Sequence, residues 1–285
     1  MDNLAIALSG DLGSGKSSVA DRLALALGAR RLSTGAVQRQ IAERRGVSTL
    51  ELNRMAESDP GIDAEVDSVF RSLASAREAL VVDSRLAWHF LPGAFKVHLV
   101  VDPEAGARRV LGRPGSAAEH YSSLDEALER IAERAASEQR RFVELYGVDI
   151  FCLRNYDLVV DTSEATPDEV ADGVLEAARG HRGQHSAPVL LVAPSRVVQV
   201  RGDDPAARPT EPPGSPQAGS DAALVLGYLR PRFYALADPA GLLQARPCPT
   251  TLVPGVLLVE DGEVVEGEPT LQRRWESIRN QVAGP

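Results

Sequence analysis

The stretch "LSGDLGSGKSSVA" at residues 8–20 decides the fold class of this chain. Gly10 is followed, after four residues, by Gly-Lys-Ser at 15–17, which is the spacing of loops that surround nucleotide phosphates. An apolar run at residues 3–8 precedes this loop, and a helical pattern that stops at Gly28 follows it. The order of strand, glycine-rich loop and helix therefore predicts a nucleoside triphosphate site at the start of an α/β domain.

Each part of this loop has an expected role in holding phosphates. Backbone N–H groups and the positive end of the helix attract the anion, while Lys16 neutralises phosphate oxygens and Ser17 ligates Mg²⁺. Lys16 is one of only two lysines beside 29 arginines in the chain, which makes its position in the loop more significant. The predicted nucleotide-binding residues are Gly10, Gly13, Ser14, Gly15, Lys16, Ser17 and Ser18.

The composition is that of a chain with room for two cores and no extended basic surface. It has 285 residues, of which 44% are apolar, so two domains are expected. The net charge of −9 argues against a nucleic-acid or membrane surface. Cys152 and Cys248 are far apart and lack metal-ligand spacing, which favours a reducing compartment. Because the start carries no signal-peptide pattern and no run of about 18 apolar residues occurs, we expect a cytoplasmic protein.

In residues 1–180, strands alternate with helices. A strand is predicted at residues 29–34, and buried strands are predicted for the Val- and Leu-rich runs at residues 79–90, 95–103 and 156–163. Such alternation predicts an α/β fold of the P-loop NTPase type, in which helices cover a parallel sheet. The charged, helical segment at about 104–147 is interpreted as a lid over this domain.

The composition changes after the first domain. Residues 181–187 are interpreted as a polar linker, and residues 188–285 are predicted to form a small α+β domain of unknown role. Within it, residues 202–222 are rich in Pro, Gly and Ser and are predicted to be a flexible loop. The last helix is predicted to turn Trp275 and Ile278 towards a core.

Three further groups of residues point to phosphoryl transfer onto an acceptor that already carries a phosphate. The groups are Thr34, Gly35 and Arg39 after the second strand, Asp83 and Arg85 after the third, and Arg134, Glu138 and Arg141 on one face of the lid. Ligands of open α/β sheets bind at the carboxyl ends of strands. An acceptor phosphate is ionised near neutral pH, so positioning and charge neutralisation by arginines suffice for catalysis. Lys16, Arg134 and Asp83 are the predicted catalytic residues.

A hydroxyl acceptor would instead require a carboxylate as general base. Asp83 is one candidate, although the role of a ligand to Mg²⁺-bound water or of a helix-cap partner is slightly favoured for it. Asp63 and Asp67 are the others, although their helical spacing in an acidic segment is more typical of a solvated face. The many arginines favour a phosphate acceptor.

The sequence resembles the nucleoside monophosphate kinases of the cytidylate kinase type, especially their archaeal-like and actinobacterial members. The resemblance extends over residues 3–178 and rests on the loop and on "STGAVQR", "IDAEVD", "VVDSRLA", "R…E..R…LYGVD" and "NYDLVVDT" in that order. It implies that ATP is the phosphoryl donor, with Mg²⁺, and that the acceptor is a nucleoside monophosphate.

The resemblance also implies roles for single residues. Thr34 would lie at the nucleobase pocket, and Glu138 near the acceptor sugar, while Gly35 next to Thr34 is a predicted substrate-binding residue. Arg39, Arg85 and Arg141 would hold the acceptor phosphate, and Arg134 would stabilise the transition state. Leu86 occupies the position of an aspartate that helps to recognise cytosine in bacterial cytidylate kinases. Ser33 likewise occupies a position where those enzymes have an aspartate. These two positions do not indicate which base is bound. The resemblance to the family as a whole implies that CMP or dCMP is the acceptor.

Two alternatives remain at this point. One is a P-loop kinase for a hydroxyl-bearing metabolite. The other is an ATP-binding regulatory or partition-like module, suggested by a faint similarity of "VAPSRVVQV" and "VEDGEVVEG" to the ParB-like fold. The expected partner is a small phosphate acceptor, not a nucleic acid or a membrane, and the sequence carries no signal of the oligomeric state.

Overall fold

The computed structural model describes most of the chain. It describes residues 4–47, 51–52, 55, 59–73, 78–112, 121–181, 188–199, 224–237, 243, 252–260, 263–264 and 269–283. The predicted loop at 202–222 and most of the predicted linker at 181–187 lie outside these residues.

A parallel sheet forms the centre of the molecule. Its strands are β1 (Ala5–Gly10), β2 (Arg30–Ser33), β3 (Leu80–Asp83), β4 (Phe95–Val100), β5 (Leu158–Asp161) and β6 (Val189–Val192). They lie in the order β2-β3-β1-β4-β5-β6, and each neighbouring pair is parallel. Since β1 has β3 on one side and β4 on the other, its carboxyl end opens into the crevice where such sheets bind ligands. The predicted α/β class is confirmed.

Helices cover both faces of this sheet. Those described are α1 (Lys16–Leu27), α2 (Thr34–Arg45), α3 (Pro60–Leu73), α4 (Ala87–Phe90), α5 (Pro103–Leu111), α6 (Leu124–Tyr146), α7 (Pro167–Gly180) and α8 (Pro269–Ala283). One core packs α2, α3 and α4 against the sheet, and a second packs α1 and α7 against its other face. Helices α5 and α6 occupy the predicted lid segment, of which residues 113–120 lie outside the described part.

The predicted strand at 79–90 is too long. Strand β3 ends at Asp83, because its neighbours β1 and β2 pair with it only as far as that residue. The chain then turns, with Ala87 N donating to Ser84 O at 3.2 Å, and forms the short helix α4. The turn places the two residues after the strand, Ser84 and Arg85, at the edge of the sheet.

Side-chain caps fix the helices that border the ligand edge. Ser33 Oγ accepts a hydrogen bond from Ala36 N at 3.2 Å and starts α2 directly after β2. Thr166 and Glu169 form a reciprocal capping box at the start of α7. Each cap satisfies backbone N–H groups that would otherwise lack partners, so each fixes where its helix begins.

The sheet continues beyond the first domain without a break in hydrogen bonding. Next to β6 lies β10 (Val253–Glu260), which is antiparallel to it, followed by β8 (Leu224–Leu229), β9 (Arg232–Ala237) and β7 (Val197–Val198), while β11 (Glu263–Val264) pairs with the end of β10. Strand β6, which the sequence analysis assigned to the second domain, thus belongs to the central sheet by its pairing with β5. The division of the chain into two folding units stays a prediction.

A small third core closes the far end of the sheet. Trp275 and Ile278 of α8 are buried, at 1% and 2% exposure, and pack with Val225, Tyr234 and Leu236. The predicted inward face of the last helix is therefore confirmed.

Arg196 ties the segment after β6 to the central sheet. Its Nε lies 3.2 Å from Asp161 Oδ2 and its Nη1 lies 3.2 Å from Asp102 Oδ2. The Asp161 side chain is only 2% exposed, so its charge depends on this arginine and on the hydrogen bonds from Ser163.

Replacing Arg196 by glutamine should destabilise the fold by about 2–4 kcal/mol, because it removes the guanidinium that is ion-paired with the buried Asp161 carboxylate. The measurement is the free energy of unfolding in urea. Arg232→Gln, at an exposed arginine in β9, is the control and should change it by less than about 0.5 kcal/mol. Equal effects of the two substitutions would contradict the role given to Arg196.

Candidate active site

The loop at residues 10–15 has the backbone of a phosphate cradle. Gly13 and Gly15 have φ values of 82° and 80°, in the left-handed region that glycine adopts freely. Gly15 is the N-cap of α1, and no side chain caps the helix there. Ser14 Oγ is buried and has no hydrogen-bond partner among the described residues. Helix N–H groups and a buried hydroxyl thus line a loop suited to an anion.

Helix α5 packs directly onto this loop. A Cβ on Gly13 would lie 2.4 Å from Gly106 O, and one on Gly106 would lie 3.0 Å from Leu12 O. Arg109 of the same helix donates to Gly13 O at 3.4 Å and to Thr162 O at 2.6 Å. Gly106 and Arg109 are not among the residues predicted from the sequence, although a glycine inside a helical pattern is a signal of close packing.

Asp83 organises the charged end of the site. Its carboxylate forms an ion pair with Lys16, accepts a hydrogen bond from Ser17 Oγ at 3.1 Å and lies 3.0 Å from Arg31 Nη2. Burial acts to raise the pKa of Asp83, but Lys16 and Arg31 outweigh burial and lower it. Asp83 is therefore held as a carboxylate that orients Lys16 and Ser17. Arg31 has no counterpart among the predicted residues.

A cleft of about 480 Å³ extends from Lys16 and Ser17 to helices α3 and α6. Nine of the predicted residues line it, namely Lys16, Ser17, Thr34, Gly35, Asp83 and Arg85, and from the lid helix Arg134, Glu138 and Arg141. Gly10, Gly13, Ser14, Gly15 and Ser18 belong to the adjoining loop or first helical turn. The structure thus brings residues from the loop, two strand ends and the lid to one cleft.

The lid helix closes on the sheet through Glu138. This carboxylate forms an ion pair with Arg85 and accepts a hydrogen bond from Arg134 Nε at 3.0 Å. Burial and, to a smaller extent, the like charge of Arg134 lower the pKa of Arg85 to about 10. Its guanidinium therefore stays protonated at neutral pH. Arg141 Nη2 lies 3.1 Å from Asp63 Oδ1 of α3. Two lid arginines and one strand-end arginine therefore face the same cleft.

The far end of the cleft is aromatic and acidic. Tyr146 OH donates to Asp67 Oδ2 at 2.8 Å, and Phe70, Phe90 and Phe142 also line this end. Burial raises the pKa of Asp67, although the hydrogen bond from Tyr146 and the charge of Arg71 oppose this increase.

The expectation of a solvated face for Asp63 and Asp67 is wrong. Helix α3 packs its apolar side on the core. Asp63 and Asp67 lie on the side of α3 that faces the lid helix, so both carboxylates border the cleft and not bulk water.

Arg39 is the predicted acceptor-binding residue that does not line the cleft. Its side chain is exposed on α2, with Nη1 3.5 Å from the position that a Cβ would take on Gly35. Since Gly35 lines the cleft, Arg39 lies close to its rim.

A glycine-rich phosphate loop that faces an arginine-lined cleft beneath a helical lid defines a P-loop kinase. The chain matches the cytidylate kinase-like family over residues 5–164, more than half of its length, and belongs to that family. The resemblance found in the sequence is confirmed, and with it, at the level of the family, the prediction of a phosphotransferase.

Relatives named cytidylate kinase match this chain over nearly their whole length. The cytidylate kinase of Ignicoccus hospitalis is 41% identical over 172 residues, which cover 59% of this chain and 95% of that protein. That of Sulfolobus acidocaldarius is 33% identical over 186 residues, covering 65% and 98%. Both matches leave more than a third of this chain uncovered.

Other similarities are partial or distant. A protein of Lacinutrix mariniflava named S-adenosylmethionine-dependent nucleotide dehydratase is 37% identical over 172 residues, and the chain spans only 35% of its length. Shikimate kinase from Acinetobacter baumannii, solved with shikimate, aligns with a TM-score of 0.45 and 16% identity over 64% of this chain and 96% of that chain. A similarity this distant carries no information on the acceptor. Among the described residues, no helix is long and apolar enough to cross a membrane.

Gly13→Ala should weaken ATP binding by about 10- to 100-fold, because the added methyl meets Gly106 O and alanine is strained at this φ by about 1–3 kcal/mol. Isothermal titration with ATP measures the affinity. Gly93→Ala is the matched control, since a Cβ there meets no atom within 4 Å. Unchanged affinity in Gly13→Ala would contradict the cradle described for the loop.

Proposed function

We propose that this protein is an ATP:nucleoside monophosphate phosphotransferase that converts CMP or dCMP to the diphosphate. The observation that carries the proposal is the single cleft in which Lys16 of the phosphate loop faces Arg85, Arg134 and Arg141. The names of the full-length relatives support the same acceptor.

The loop fits the triphosphate of ATP. Its N–H groups, the buried Ser14 hydroxyl and Lys16 would hold the phosphate oxygens, and Ser17 with Asp83 would hold Mg²⁺ directly or through water. Mg²⁺, when bound, would neutralise phosphate charge and act as a template for the two substrates. Asp83 already aligns Lys16 and Ser17, so little reorganisation would be needed at this end of the cleft.

The arginines fit an acceptor that brings its own phosphate. Arg85 and Arg141, with Arg39 turned in from the rim, would position that phosphate as the nucleophile. Lys16 and Arg134 would stabilise the charge that develops between donor and acceptor. Glu138, which pairs with Arg85 and Arg134, would keep both guanidinium planes aligned and contact the acceptor sugar.

The aromatic end of the cleft fits a nucleobase. Phe70, Phe90 and Phe142 offer apolar surface around a flat ring, and Thr34 and Gly35 line the same cleft. Asp67 presents a carboxyl group that can accept a hydrogen bond from the exocyclic amine of cytosine, which uracil lacks. The same cleft thus offers a basis for preferring CMP or dCMP to UMP.

A kinase for a hydroxyl-bearing metabolite is the second candidate, with Asp83 as its base. The contacts of Asp83 disfavour it, because Lys16, Ser17 and Arg31 occupy the carboxylate and lower its pKa. A base needs a free lone pair and a pKa nearer the working pH. A regulatory ATP-binding module finds no support in the family match. A cytoplasmic location, where ATP and nucleotides are available, completes the proposal.

The proposal is tested by ADP release from Mg-ATP in the presence of CMP, dCMP, UMP, AMP or GMP. Selective turnover with CMP or dCMP is expected, and Lys16→Ala provides the background rate. Turnover with none of the five, by protein that binds ATP, would overturn the proposal.

Arg141→Ala should lower kcat/KM for CMP by about 10²- to 10³-fold, since it removes one preorganised cation from the acceptor phosphate. Arg130→Ala is the matched control on the same helix, because Arg130 is exposed and pairs only loosely with Glu133, at 3.6 Å. If both variants keep the wild-type kcat/KM, Arg141 does not hold the acceptor.

Asp67→Asn should reduce the preference for CMP over UMP by about tenfold or more, because the amide no longer offers the same acceptor to the cytosine amine. The readout is the ratio of the two kcat/KM values. Asp63→Asn is the control, since Asp63 pairs with Arg141 and should affect both substrates alike. A ratio that stays constant in Asp67→Asn would place base recognition elsewhere.

A further inference from the structure

An arginine from beyond the family-matched region reaches the phosphate loop. Arg230 lies in the turn between β8 and β9, whereas the family match ends at residue 164. Its Nη2 lies 3.5 Å from Asp11 Oδ1, and its guanidinium carbon lies 3.6 Å from the centre of the Phe151 ring. The carboxyl-terminal strands thus contribute a cation beside the second residue of the loop.

Asp11 joins the phosphate loop to strand β4. Its N–H donates to Leu99 O at 2.9 Å, and its carbonyl accepts from Ser14 N at 3.2 Å. Its carboxylate accepts from Val101 N at 3.3 Å and lies 3.7 Å from His98 Nε2. The position of Asp11 therefore sets the position of the loop backbone up to Ser14.

The negative charge of the Asp11 carboxylate would repel the triphosphate that the loop is expected to hold. Its side chain is 15% exposed, so solvent screens it little, and it adds a negative charge next to the loop. Arg230 offsets that charge at close range, and the charge of Arg85 also acts on it. The stacking on Phe151 holds the guanidinium in place, and Phe151 is itself fixed by a hydrogen bond from its N–H to Asp149 Oδ1 at 2.9 Å.

We propose that Arg230 is a positioning residue for ATP, which acts through Asp11 to hold and neutralise the phosphate loop. The carboxyl-terminal segment is then part of the nucleotide site. This inference rests on the proposed function only in that the loop binds ATP; the identity of the acceptor does not enter it.

Direct binding of ATP tests the inference without any acceptor. In isothermal titration, Arg230→Gln should weaken ATP binding about tenfold, because the Asp11 charge then loses its nearest arginine beside the loop. Arg230→Lys keeps the charge but loses the planar stack, and should recover part of the affinity. Arg232→Gln, an exposed arginine on the same hairpin, should bind ATP as the wild type does.

A double-mutant cycle tests whether Arg230 acts through Asp11. In an Asp11→Asn background, Arg230→Gln should change the affinity for ATP by less than about twofold, because the charge to be offset is gone. Full additivity of the two substitutions would overturn the inference. In turnover, Arg230→Gln should raise KM for ATP while KM for the acceptor and kcat stay within about threefold, a split that general destabilisation does not produce.

The outcomes separate this inference from the proposed function. If the wild type does not bind ATP, both fall. If the wild type binds ATP and Arg230→Gln binds it equally well, the inference alone is overturned. Should Arg230→Gln fail to fold, Phe151→Leu carries the test: the loss of the stacking surface should weaken ATP binding about threefold, and unchanged binding would overturn the inference.

Discussion

The carboxylate of Asp83 is the group on which the rest of the site depends. It is buried at the end of a central strand, and a buried charge persists only when it is paired and hydrogen-bonded. Lys16 and Ser17 from the start of α1 and Arg31 from β2 meet that requirement. Three sequence-distant elements are thereby held around one charge, and the phosphate loop is fixed above the sheet before any substrate enters.

Much of this arrangement can be predicted from the sequence, because the spacing of residues within a loop, strand or helix determines which side chains lie close together. The loop spacing predicts the cradle, the alternation of apolar runs and helical patterns predicts the parallel sheet, and the position of Asp83 and Arg85 after a buried strand places them at the ligand edge. The i, i+4, i+7 spacing in the lid brings Arg134, Glu138 and Arg141 to one face, as the cleft shows.

What the sequence could not predict arises from packing between elements far apart in the chain. Asp67 borders the cleft only because α6 packs opposite α3, and its helical spacing alone is that of a surface residue. Gly106 and Arg109 matter because α5 lies on the phosphate loop. Arg230 reaches Asp11 across more than 200 residues of sequence, through the extension of the sheet beyond β6. A sheet that continues through β6 makes the carboxyl-terminal strands neighbours of the loop.

The central claim is that the group which attacks the donor is a phosphate oxygen and not a carbon-bound hydroxyl. Phosphorus-31 NMR of the products formed from Mg-ATP and CMP tests it directly. The account predicts resonances of a new diphosphate, with the two coupled phosphorus nuclei of CDP, appearing in step with those of ADP. ADP that accumulates with inorganic phosphate alone, or with a phosphate monoester on the sugar hydroxyl, would contradict it.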